Sequence, residues 1–150
     1  MQTGLGTKLR RLLALLDSEV QQVYDSIGID FRPRFYPIVQ LLLEGPQTVC
    51  GIAQHVGLSQ PAITQTLAEM KKRRLIAAAP GDDRRKQMIR LTPQGRRLVG
   101  RLKPVWVATH RAAIALEAEL PARLNEVMDQ AFLALDRIPF NRRIHNKLRK

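Results

Sequence analysis

A chain of 150 residues, 45% of them apolar, is long enough to bury one substantial core and short for two. One cysteine and three histidines exclude an intramolecular disulfide and a closed zinc site built on them, and no apolar run approaches the roughly 20 residues that span a bilayer. The formal charge is +12, and it is unevenly spread: residues 1–46 carry five basic and five acidic groups, 47–92 eight against three, 93–120 five against two and 121–150 seven against three.

An excess that spares the N-terminal third is more than a solubility device. It suits a polyanion such as nucleic acid, whose condensed counterions Lys and Arg displace. The opening MQTGLGTKLRRLL lacks a basic segment followed by a clean apolar run and a small-residue cleavage site, so a cytoplasmic location is expected, with no membrane partner.

From the N-terminus, Leu5, Leu9, Leu12, Leu13, Leu16, Val20, Val23 and Ile27 recur at three- and four-residue steps. The spacing predicts an amphipathic helix of about six turns, ended by Gly28. So long a stripe has little nearby sequence to pack on, and a partner subunit would cover it. In IDFRPRFYPIVQLLLEGPQ, Pro33 and Pro37 bracket Arg34, Phe35 and Tyr36. Either a helix starts at Pro33 and bends at Pro37, or it starts near Pro37. Ile38, Leu41 and Leu42 give it a core face, and Gly45-Pro46 stops it. Thr48-Val49 has room for only a very short strand.

Residues 52–67, IAQHVGLSQPAITQTL, read as two short helices joined by a tight turn. Ile52, Val56, Leu58, Ile63 and Leu67 supply apolar contacts, and Ala53 is small where two helices cross. Gly57 sits where the chain reverses, since glycine takes positive φ without steric cost. Ser59 is an N-cap, its hydroxyl able to accept from a free N–H of the second helix. Pro61 falls within that helix's first turn, where proline is tolerated. The pattern is a helix-turn-helix, whose second helix enters the DNA major groove. That helix is predicted over residues 60–74. Ile63, Leu67 and Met70 face inward, leaving Pro61, Thr64, Gln65, Ala68 and Lys72 outside. The outer face is polar and uncharged until Lys71-Lys72-Arg73-Arg74, which suits base reading with phosphate anchors at the far end.

LIAAAPGDDRRKQMIRLT then reads as a β-hairpin, with residues 75–79 out, 80–86 around the tip and 87–91 back. Arg84, Arg85 and Lys86 cluster at that tip beside Asp82 and Asp83. A hairpin ending in arginines directly after a helix-turn-helix is a wing, and arginine suits a narrow minor groove. Thr92-Pro93 opens a long helix as cap and first helical residue, with Pro104 expected to kink it. Leu120-Pro121 starts a further apolar helix. After Pro139 the tail NRRIHNKLRK, with five basic residues and no acidic one, is expected to be mobile or laid on DNA.

No phosphate-binding glycine loop, nucleophile elbow or His/carboxylate metal spacing is present in the sequence, so no enzyme activity, metal or cofactor is expected. His55, His110 and His145 are scattered. Cys50 reads as a small buried filler rather than a redox sensor.

The order of elements and the motifs IAQHVGLSQPAITQTLAEM and Asp83-Arg84-Arg85 followed by Leu91-Thr92-Pro93-Gln94-Gly95 resemble the MarR (multiple-antibiotic-resistance regulator) family of winged-helix repressors. The resemblance covers essentially the whole chain. It implies a mainly α fold with a small β-hairpin wing (α+β), a winged helix-turn-helix over residues 31–92. Dimerisation helices would lie at residues 1–30 and 93–136, with a basic tail at 137–150. The implied function is sequence-specific binding of double-stranded DNA by a homodimer, with repression of transcription from a palindromic operator. DNA-binding residues would be Ser59, Gln60, Pro61, Thr64 and Gln65 of the recognition helix. Lys72 and Arg73 would anchor phosphates, and Asp83, Arg84, Arg85 and Lys86 would act in the wing, Asp83 holding Arg85. Two departures stand out. Thr64-Gln65 replaces a frequent Thr-Arg, so an adenine-pairing glutamine replaces a guanine reader. Arg73-Arg74 replaces a common Lys-Gly, removing the usual glycine C-cap before the wing.

Family members often bind small aromatic anions between the dimer helices and the winged domain. Tyr24, Phe31, Phe35, Tyr36 and Trp106 are five of the seven aromatics and come from segments expected to line that cleft, with Arg32 or Arg34 nearby for charge; the other reading of each ring is plain core or interface packing. A basic RNA-binding or architectural protein is the alternative class. The segment around GIDFRPRFYP also resembles a branch in which such a module is fused to an acetyltransferase, a second domain not expected here.

Overall fold

Leucine and valine at helical spacing make the first element of the computed structural model, which describes residues 4–79 and 87–149. Helix α1 runs Leu5–Ser26 and is capped by Ile27, with Gly28 turning the chain away at φ 67°. Tyr24 is the one residue of α1 that is buried. The next two elements resolve the proline alternatives. A 3-10 turn, Pro33–Phe35, leads directly into α2, Tyr36–Glu44, and each proline lies in the first turn of its own element, where no N–H partner is lost.

Strand β1 is Gln47–Thr48, one residue earlier than the sequence suggests. The reason is Thr48, whose hydroxyl accepts the Gly51 N–H at 3.0 Å and so starts α3, Val49–Val56, at Val49. Helix α4 is Gln60–Lys72, followed by strands β2, Ile76–Ala79, and β3, Met88–Leu91. The three strands form an antiparallel sheet in the order β1-β3-β2, with Ile76 opposite Leu91 and Ala79 opposite Met88. Helix α5, Pro93–Ala118, passes through Pro104 without ending.

The described chain divides into two compact units, Met1–Lys103 and Pro104–Lys150. The first has a continuous apolar core in which Ile38, Leu42, Ile52, Ile63, Met70, Ile89 and Leu102 are all essentially inaccessible. Two expectations change here, and one residue is new. Leu58, expected to pack inward, is exposed because it falls in the turn rather than on a helix face. Cys50, expected as buried filler, is exposed on the first turn of α3. Thr66, a polar residue, lies on the buried side of α4, where its hydroxyl bonds the Ala62 carbonyl at 3.1 Å.

In the second unit α6 is Leu124–Arg137 and α7 is Phe140–Leu148. Helix α6 starts after Leu120-Pro121, at the point where the Glu117 carboxylate accepts the Asn125 N–H at 2.7 Å. The basic tail, expected to be mobile or laid on DNA, is helical over Phe140–Leu148. Pro139 stands at its N-cap, and Phe140, Ile144 and Leu148 share one face at four-residue spacing. Arg143 donates to the Ala134 and Ile138 carbonyls at 2.6 and 3.0 Å, satisfying the open end of α6. Among the described residues no helix is long and apolar enough to cross a membrane.

Candidate nucleic-acid interface

The turn between α3 and α4 is closed by backbone geometry that its residues favour. Gly57 has φ 72°, and the N–H groups of Gly57 and Leu58 both reach the Ala53 carbonyl, at 2.9 and 3.2 Å. Ser59 then takes an extended conformation, and its hydroxyl accepts the Ala62 N–H at 3.4 Å. Pro61 occupies the first turn of α4, where its missing N–H costs nothing.

Helix α4 is held from one side only. Ile63, Thr66, Leu67 and Met70 are buried, while Ser59, Gln60, Pro61, Thr64, Gln65, Ala68, Lys71 and Lys72 are exposed. The exposed side is uncharged for more than two turns and cationic at its end. Small and amide side chains therefore fill the start of this face, and ammonium groups its end.

The C-terminal end of α4 closes without glycine. The Arg74 N–H bonds the Lys71 carbonyl at 2.8 Å and the Leu75 N–H bonds the Met70 carbonyl at 3.0 Å, the paired bonds of a Schellman cap. Met70 and Leu75, buried on either side, provide the apolar contact that accompanies such a cap. Arg74 accepts φ 56° to make this possible. The start of α5 braces the same turn: the Thr92 hydroxyl donates to the Arg74 carbonyl at 2.6 Å and accepts the Gly95 N–H at 2.9 Å, while the Thr92 N–H bonds the Leu75 carbonyl at 3.0 Å.

Arg73 departs from the role its position suggests. Its guanidinium turns away from the exposed face of α4. Its Nε lies 3.1 Å from both carboxylate oxygens of Asp30, its Nη1 3.3 Å from the Glu69 carbonyl, and its charge 5.5 Å from the Phe35 ring centre. In this structure the side chain braces the end of α4. Arg34 from the 3-10 turn pairs with Glu69, and its hydrogen bond holds the Glu69 carboxyl below the usual carboxylate range.

In the wing, β2 and β3 pair over four residues, and Arg90 is exposed on β3 between buried Ile89 and Leu91. The alternation Met88–Leu91 identifies Arg90 as an outward cation, a signal sequence reasoning passed over in favour of the tip. The tip residues Asp83, Arg84, Arg85 and Lys86 lie outside the described residues.

Among the residues expected to line an effector cleft, three are core. Tyr24 meets Phe31 edge to face at 5.4 Å between ring centres, and Phe31 meets Phe35 likewise at 5.5 Å. All three are at most 2% accessible, so in this structure no ring face is open to a ligand. Arg32 is half-buried and lies 3.9 Å from Asp30, Tyr36 is exposed, and Trp106 is half-buried in the second unit. Among the described residues no group of three His, Cys, Asp or Glu side chains is placed to hold a metal ion.

The family model of the ArsR-type bacterial regulatory proteins matches residues 37–78, the stretch from α2 into β2. No curated protein matches the chain. Solved structures match over nearly all of it. The Mycobacterium tuberculosis transcriptional regulator MosR, in complex with DNA, superposes with a TM-score of 0.74 at 17% identity, covering 92% of this chain and 100% of its own. Staphylococcus aureus MepR, also in a DNA complex, gives 0.69 at 18% identity over 89% and 97%. A MarR family transcriptional regulator from Silicibacter pomeroyi gives 0.62 at 21% identity over 89% and 88%. The ArsR-type match covers the helix-turn-helix segment, whereas the structural matches extend through the flanking helices as well. The chain has the winged helix-turn-helix fold of the MarR-family transcriptional regulators.

Proposed function

We propose that this chain is a sequence-specific regulator of transcription that binds double-stranded DNA, without enzymatic activity. The observation that carries the reading is the two-sided character of α4. Its inner side is locked into the core, and its outer side presents Pro61, Thr64, Gln65 and Ala68 ahead of Lys71 and Lys72. A fixed helix with an uncharged, hydrogen-bonding face and a cationic end meets the demands of the major groove. The DNA complexes of MosR and MepR, which share the fold, support it.

In this reading the protein acts as a homodimer on a palindromic operator, as a repressor. Arg84, Arg85 and Lys86 add cationic contacts, Asp83 positions Arg85, and Arg90 extends the basic surface of the wing. A small aromatic or anionic effector modulates binding. Tyr36 is the exposed aromatic that such a compound would meet, and Arg32 or Arg34 supplies charge. Ligand release of DNA requires tighter binding to the DNA-incompetent arrangement, because equal affinity shifts nothing.

Selection from a random duplex library tests the central claim. A consensus with two-fold symmetry is expected, and Gln65→Ala is expected to lose roughly 1–3 kcal/mol on it while relaxing choice at one base pair per half-site. An unchanged consensus for Gln65→Ala would overturn the orientation assigned to α4, and no consensus at all would overturn the function.

A further inference from the structure

The helix that presents Gln65 is tied at its far end to a distant part of the chain. Glu69 and Arg73, both at the C-terminal end of α4, engage Arg34 and Asp30, which lie 35 and 43 residues earlier in the sequence. Arg73 reaches both oxygens of Asp30 at 3.1 Å, and its Nη1 also lies 3.9 Å from the Glu69 carboxylate. The guanidinium carbons of Arg34 and Arg73 stand 5.7 and 5.5 Å from the centre of the same ring, Phe35. Phe35 is fully buried and continues through Phe31 to Tyr24 on α1. Two charge pairs and one buried ring thus meet at the C-terminal end of α4.

Stability is a poor explanation for this cluster. Asp30 is 66% exposed and Arg34 53%, against 21% for Arg73 and 30% for Glu69, and ion pairs with one partner so open to solvent add little to folding. Their arrangement is directional instead. The apolar contacts of Ile63, Leu67 and Met70 hold α4 against the core, but burial is non-directional and does not by itself select one angle for the helix. Hydrogen-bonded charge pairs of fixed length, anchored to a buried ring, do select one. We propose that Asp30, Arg34, Glu69 and Arg73 are positioning residues that set the angle at which α4 presents its outer face, and so set base selectivity rather than affinity for DNA in general. This rests on the reading of α4 as a recognition helix.

The sign of one substitution pair separates this role from simple electrostatics. Asp30→Asn with Glu69→Gln removes two negative charges near the DNA-facing helix. Charge alone predicts tighter binding to every duplex. Positioning predicts that the ratio of affinities for the selected and a scrambled duplex falls by about tenfold, roughly the effect of one mismatched base pair. Binding to scrambled duplex should hold or rise, and the thermal midpoint should barely move. The swapped pair Arg34→Glu with Glu69→Arg, which restores opposite charges, should recover most of the selectivity that Glu69→Gln loses. Selectivity retained within twofold in the double variant overturns the assignment. So does a loss that tracks thermal destabilisation or a swap that recovers nothing. A wild-type chain with no sequence preference overturns the DNA-binding reading, and the clamp's role with it.

Discussion

At Gly95 there is no room for a side chain. A Cβ placed there lies 2.2 Å from the Leu75 carbonyl oxygen and 3.1 Å from its carbon, where backbone, not a flexible side-chain end, is the obstacle. Gly95→Ala gains about 1 kcal/mol of helix propensity but forces α5 off the turn that ends α4. The second effect wins, and a net loss upward of about 3 kcal/mol is expected, read as a lower urea midpoint. A variant as stable as wild type would show that α5 does not pack on Leu75 in this way. Arg74 is the converse case. A non-glycine residue in the left-handed region costs about 1–2 kcal/mol, and glycine returns part of that through the entropy of the unfolded chain. Arg74→Gly is therefore expected to raise stability by about 0.5–1 kcal/mol, and a drop in the midpoint would contradict the cap geometry. The motif Leu91-Thr92-Pro93-Gln94-Gly95 was legible as a string, but its reason was not. Thr92 and Gly95 are held to Arg74 and Leu75 by contacts across 17 to 20 residues, which no local pattern reports.

Helix α4 shows what local pattern does report. Gly57, Ser59 and Pro61 act within a few residues of where they stand, so the turn, the cap and the first helical turn could be placed from the sequence. The inward and outward faces followed from helical spacing in the same way. Arg73 could not, because spacing says where a Cβ points, not where a long side chain ends. The direction of that guanidinium depends on Asp30, far along the chain. For the aromatic residues the sequence leaves cleft wall and core packing open for a related reason. Tyr24, Phe31 and Phe35 lie close in sequence in a segment expected to line a cleft, and only the fold reveals that they close on one another. In the C-terminal tail the dense positive charge masks the four-residue apolar spacing of Phe140, Ile144 and Leu148 on α7.

Charge and apolar surface divide the molecule differently. Along α1, Leu5, Leu9, Leu13, Leu15, Leu16 and Val23 are all exposed, Leu5 to 70%. In the other unit neither α6 nor α7 has a single buried residue, although Phe132, Leu133, Phe140 and Leu148 are each more than half exposed. Apolar surface on this scale is more than a soluble monomer ordinarily shows, and isolated helices of 9 to 14 residues are marginal in water without tertiary packing. The second copy proposed above would cover this surface without any other partner. The same stripes then face each other across a two-fold axis, as an isologous interface requires. Light scattering at micromolar concentration should give twice the 17.0 kDa chain mass. The thermal midpoint should rise with concentration, because folding and association are then linked. Leu9→Glu with Leu13→Glu should shift the mass toward a single chain and abolish two-fold symmetry in the selected DNA. The charge distribution is consistent with this arrangement: residues 1–46, which include α1, are net neutral, so that face can meet itself without repulsion while the basic remainder is free for phosphate. A monomer of 17.0 kDa whose midpoint is independent of concentration would overturn both the dimer and the half-site spacing of about one helical turn that it implies.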